Sequence, residues 1–133
     1  VKGLARVFRL LTVLWAGSLW SLAWVTQTLF GAQNDRHLAG LLASRLFSIE
    51  TYLGLGVALI ALTLPARRKF LWGYVAAALL AGNEWALKPV MSVAREHGSA
   101  AGLSFLAWHG VSMLLYVGAC LALLLTVWKD DFR

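Results

Sequence analysis

Read from the start, apolar residues dominate in four long runs separated by short polar breaks. The first run, Val7 to Phe30, follows Lys2, Arg6 and Arg9. A basic start before an apolar run is also the mark of a signal peptide. At about 24 residues, however, this run exceeds a typical signal-peptide core, and no small-x-small cleavage site closes it. Gly31 to Arg36 is polar and carries a helix start, with Asn34 or Asp35 as N-cap. The second helix is predicted from about residue 36 to 64. Leu38, Leu41, Leu42, Leu46 and Ile49 recur at helical spacing and predict an amphipathic first half near the headgroups. Pro65 ends it, and Arg67-Arg68-Lys69 forms a basic turn. The third helix is predicted over 70–88, with Pro89 placed to kink or end it and a possible extension to 97 before Gly98. Ser99 to Gly102 reads as a flexible link. The fourth helix, over 103–128, closes on Lys129-Asp130-Asp131.

Composition turns these runs into membrane spans. Sixty per cent of the 133 residues are hydrophobic and 14% are charged, where a soluble domain carries nearer 25% charge. A span needs about 20 apolar residues, so four spans use about 80 and leave short loops with no room for a second domain. The expected architecture is all-α: one transmembrane domain over 1–133, an antiparallel four-helix integral membrane bundle. Soluble enzymes, disordered tails and disulfide scaffolds are excluded. Cys120 is the only cysteine, so no intramolecular disulfide can form.

The net charge of +6 would suggest nucleic acid in a soluble chain. Here the cations flank apolar runs, where headgroups and topology account for them, so no nucleic-acid partner is expected. Lys2, Arg6, Arg9, Arg67, Arg68, Lys69, Lys129 and Arg133 fall on one side; Arg36, Arg45, Lys88 and Arg95 fall on the other. Eight against four puts both termini in the cytoplasm, and in a bacterium this means the inner membrane. Trp72 and Trp128 then mark the inner interface, Trp85 and Trp108 the outer one.

Ionisable groups within spans are costly, roughly 2.5–3.5 kcal/mol each at mid-depth. The chain nevertheless keeps Arg45, Glu50, Glu84, Lys88 and His109, with Gln27, Asn83 and Ser112 adding uncharged polarity. In an antiparallel arrangement these residues gather in the outer leaflet, His109 about 9 Å below its helix start. Gly73, Ala77, Ala81, Glu84 and Lys88 share a helix quadrant suited to close packing; Glu50 shares a face with Gly54 and Ala61, and His109 one with Met113, Tyr116 and Cys120. Arg45 lies about 140° from Glu50 and points elsewhere. Each group has two readings. Glu84 and Lys88 are an i, i+4 pair able to neutralise each other. Glu50 is a helix clamp, with Arg45, Lys88 or His109 as partner, or a proton carrier. His109 is a hydrogen-bonded packing residue, or a haem or metal ligand. No cofactor is predicted, since a second embedded His is missing and Met91, Met113 and Cys120 are not spaced as a ligand set. No phosphate loop, nucleophile elbow, His-Glu-x-x-His or Cys-x-x-Cys is present.

Several segments together resemble the transmembrane protein 205-like family of small four-helix membrane proteins. They are LWAGSLW and WVTQTLF in the first run, SRLFSIE at 44–50, NEWALKP at 83–89, VAREHG at 93–98 and WHGVSMLLY at 108–116. The resemblance implies an integral membrane bundle with no established reaction. It singles out Arg45, Phe47, Asn83, Pro89, Arg95, His109, Gly110 and Ser112. One departure stands out: Lys88 precedes Pro89 where the family pattern has an acidic residue.

Three functional classes remain. The leading expectation is a non-enzymatic accessory, assembly or interaction subunit, partnered by the lipid bilayer and by other membrane subunits or further copies of itself. The alternative is a transporter or sensor that binds a proton, ion or small solute at the polar cluster. A weaker alternative is a cofactor-binding membrane oxidoreductase.

Overall fold

The structure, a computed structural model, describes residues 2–64 and 67–129. Pro65, Asp130, Asp131 and Arg133, which carried sequence expectations, lie outside the described residues. Helix α1 spans Lys2–Ala32 and α2 spans Arg36–Leu62. A 3-10 turn, Arg67–Phe70, leads into α3, Leu71–Gly82. A π-helical turn, Asn83–Leu87, joins α3 to α4, Lys88–His97. Two-residue strands β1 (Ser99–Ala100) and β2 (Leu103–Ser104) precede α5, Phe105–Lys129. Helices α1, α2 and α5 are long and apolar enough to cross a membrane, which is consistent with a multi-pass integral membrane protein.

Local chemistry explains the breaks. Asp35 caps α2, its carboxylate accepting the N–H groups of His37 at 3.0 Å and Leu38 at 3.2 Å. Gly98 ends α4 at φ 83°, where a side chain would be strained. The link over 99–102, expected to be flexible, is instead part of a tight hairpin that also takes Leu103 and Ser104 from the expected start of the fourth helix, pairing Ser99 with Ser104 and Ala100 with Leu103. Its turn residues Ala101 and Gly102 both have positive φ, as a primed two-residue turn requires. Trp108 Nε1 donates to the Ala100 carbonyl at 2.9 Å and ties the hairpin to α5.

Pro89 does not stop the third rod. It sits in the first turn of α4, where no N–H is needed. The disturbance moves one turn earlier: the Lys88 N–H bonds to the Asn83 carbonyl, five residues back. The widened π turn absorbs the missing bond, and the rod runs on to His97. Trp85, expected at an interface, consequently stands in the π turn near the middle of that rod.

Helix α1 packs on α2 and α5, and α3 packs on the same two helices. Fully buried Phe8, Trp15 and Leu19 of α1 meet a core that includes Val57, Phe70, Ala76, Leu80, Ala119 and Leu123. At one end Phe8 and Phe70 meet edge to face at 5.1 Å, and Lys129 lies over Trp72 at 5.9 Å. The expected amphipathic stripe of α2 turns outward. Leu38, Leu41, Leu42 and Ile49 are exposed and Leu46 alone of the stripe packs on the core, while Ala39 and Ala43 are buried. Among lipid tails, burying leucine gains little, whereas small residues let backbones approach.

Candidate functional site

Polar side chains inside the helical core form a ring of contacts that joins the rods pairwise. Between α1 and α2, Ser18 donates its hydroxyl to Glu50 Oε1. Between α2 and the third rod, the Lys88 ammonium reaches the Ser44 carbonyl at 3.0 Å, Ser48 Oγ at 2.7 Å and Glu84 Oε2 at 2.7 Å. Ser48 in turn donates to Glu84 Oε1 at 2.7 Å. Between the π turn and α5, Ser112 donates to Asn83 Oδ1 at 2.7 Å. Between α5 and α1, Tyr116 donates to the Leu19 carbonyl, and Trp20 Nε1 donates to the Cys120 carbonyl at 3.1 Å. Phe47 packs edge-on against Tyr116 at 5.3 Å, beside this ring.

On α1, α2 and the third rod the ring's acidic and Ser18 members lie near mid-length, whereas on α5 Ser112 stands 7 residues after Phe105 and 17 before Lys129. Ser18 stands 16 residues after Lys2 and 14 before Ala32. Glu50 is 14 after Arg36 and 12 before Leu62. Glu84 is 13 from Leu71 and 13 from His97. Glu50 and Glu84 are central because α2 begins at Arg36, ahead of its leucine-rich segment, and because α4 prolongs the third rod beyond Pro89.

Of the expected partners, Glu84 and Lys88 do pair. Glu50 does not meet Arg45, Lys88 or His109; its one hydrogen-bond partner among the described residues is Ser18. The reasons are geometric. Arg45 is exposed on another face, and Lys88 is saturated by Glu84, Ser44 and Ser48. His109 is exposed on α5, stacked on Phe105 with ring centroids 6.1 Å apart. Arg95 covers the same Phe105 ring at 4.8 Å, so Arg95, Phe105 and His109 form a stack beside the hairpin. Gly110 and Pro89 are exposed, and a methyl at Gly110 would meet nothing within 4 Å.

Two buried polar atoms have no hydrogen-bond or ion partner among the described residues: Glu50 Oε2 and Trp15 Nε1. They belong to one contact region, since Trp15 packs directly on Gly54, one turn along α2 from Glu50. Among the described residues no three His, Cys, Asp or Glu side chains group as a metal site.

With this geometry in view, residues 10–129 match the family described as Domain of unknown function (DUF4149). The chain belongs to that family. The DUF4149 match takes in every member of the polar ring, from Ser18 to Trp20 on α1 through to Cys120 on α5. Among curated proteins and among solved structures nothing matches the chain.

Several groups in the polar ring escape sequence reasoning, among them Ser18, Ser48 and the Leu19 carbonyl, as does the buried Trp15 beside it. A serine in an apolar run costs little and carries no periodic signal, and a carbonyl has none at all. The available clue for Ser18 is depth, because it stands at the midpoint of its run as Glu50 does on the neighbouring helix.

Proposed function

We propose that the chain is an antiparallel four-span bundle with both termini cytoplasmic, in the inner membrane where the source is bacterial. In this reading it acts without catalysis, as an accessory or assembly subunit of a larger membrane complex. The supporting observation is how its polar residues divide. Most of those facing inward are engaged in helix-to-helix contacts, whereas Gln27, Arg45 and His109 face outward within apolar helices. An outward polar side chain in a span is costly in lipid and is relieved by a polar group on a neighbouring subunit. The resemblance to transmembrane protein 205-like proteins supports the same architecture. Extraction in mild detergent followed by native mass spectrometry tests the reading. A heteromeric or homomeric assembly is expected, weakened by Gln27→Leu and His109→Leu while thermal stability is kept. A free monomer from native membranes refutes it.

Glu50 favours a second reading, a proton or ion site serving transport or sensing. Its buried carboxylate has one hydroxyl donor and no cation beside it, with Oε2 unpartnered among the described residues. In proteoliposomes Glu50→Gln then abolishes flux while leaving the helices folded. Unchanged flux, or none in the parent protein, removes this reading.

A further inference from the structure

A second concentration of chemistry lies at the end of the molecule where α3 begins and α5 ends. A shallow pocket there is lined by Arg68, Lys69, Leu71, Trp72 and Lys129. Three of these five residues are cations, and no carboxylate among the described residues lines the pocket. None of the three makes an ion pair among the described residues, in contrast to Lys88 with Glu84. Lys129 is held at the rim by the Trp72 ring, its ammonium 5.9 Å from the centroid. The flank of the pocket is apolar: Leu71 lines it, and Leu125, one turn before Lys129, and Trp128 are exposed along α5.

We propose that this pocket binds the headgroup of an anionic phospholipid, with the acyl chains lying along the leucine flank of α3 and α5. The inference rests on the membrane reading of the chain and is independent of the accessory role. Cations around a concavity with no ion-pair partner among the described residues call for an anion, because charges this close repel until one is supplied. The adjoining apolar flank calls for a tail on the same molecule. A zwitterionic lipid brings its own ammonium into the cluster and loses most of the attraction. Free phosphate satisfies the cations but leaves the leucines uncovered. Trp72 sits where the two environments meet, as indole rings do at a bilayer boundary.

The test uses the full chain purified in detergent and supplied with phosphatidylglycerol, phosphatidylethanolamine or inorganic phosphate, with bound lipid read by native mass spectrometry. Phosphatidylglycerol is expected to be retained preferentially, and millimolar phosphate is expected not to displace it. Each cation removed should weaken retention about fivefold, so R68Q/K69Q/K129Q should lose about a hundredfold. The control R6Q/R36Q removes two charges that do not line the pocket and should keep the preference. All five side chains are solvent-facing, so thermal stability should not fall. Equal retention of both lipids, or an undiminished preference in the triple variant, overturns the proposal. Displacement by inorganic phosphate also overturns it, because the pocket would then be an anion site without a lipid component.

Discussion

Gly54 offers the sharpest test of the packing between α1 and α2. A methyl built on Gly54 would lie 2.3 Å from Trp15 Cζ2 and 2.8 Å from Cε2. Ordinary carbon contacts are near 3.5 Å, so ring or helix must give way by about 1 Å. Trp15 is fully buried and cannot swing aside. Overpacking of this kind costs about 1–3 kcal/mol, against a helix-propensity gain of about 0.8–1 kcal/mol for replacing glycine. Gly56 lies two residues further along α2 with nothing within 4 Å of its added methyl, so it registers the propensity gain alone. Gly54→Ala should therefore be less stable than Gly56→Ala by about 1–3 kcal/mol, the propensity term cancelling.

The assay is unfolding in mixed detergent micelles followed by helical circular dichroism, with both variants measured beside the parent. A double-mutant cycle separates steric overlap from any general effect on α2. Trp15→Phe trims the ring where the methyl would strike. It should thus be destabilising alone but nearly neutral in the Gly54→Ala background, a coupling of about 1 kcal/mol or more. Equal stability of the two alanine variants, or full additivity in the cycle, refutes the contact.

Three further outcomes concern the polar ring and the caps. Lys88→Ala leaves Glu84 with a single hydroxyl donor and should cost about 2–3 kcal/mol, the pair being only partly shielded; E84Q/K88Q should stay near the parent in the same unfolding assay. Tyr116→Phe removes the hydrogen bond to the Leu19 carbonyl and should cost about 0.5–1.5 kcal/mol, read as earlier unfolding with unchanged helix content. Asp35→Ala strips the cap from α2 and should cost about 1 kcal/mol. In that variant hydrogen exchange should accelerate in the first turns after Arg36, and Asp35→Asn should restore protection.

Those features that rest on single residues with one-sided chemistry were readable from the chain. Asp35 before a helical run and Gly98 after one are local signals, and the structure honours both. Glu84 and Lys88 are likewise local, since four residues along a helix brings two side chains together whatever surrounds them. The leucine stripe of α2 misleads for a reason specific to lipid. In water its periodicity would mark the buried face, but beside acyl chains the same periodicity marks the outside, and Ala39 and Ala43 take the inside. Pro89 misleads because its cost can be moved. The π turn places the irregularity at 83–87, where Asn83 turns to Ser112 and Glu84 to Ser48.

That displacement connects the fold to the ring. A straight α-helix through Asn83, Glu84 and Lys88 would carry them at 100° steps, with Asn83 and Glu84 on adjoining directions of one rod. The ring needs Asn83 to serve α5 while Glu84 and Lys88 serve α2. A π turn inserts one residue into the helical spacing and so rotates the faces of α4 relative to those of α3. Glu50 has no such local device. Its position is settled by Trp15 packing on Gly54 and by Ser18 one turn further along α1. A carboxylate placed by two residues of another helix leaves no pattern in its own segment. For this reason Glu50 could be singled out from the sequence as costly, while its partner could be found only once α1 and α2 were seen together.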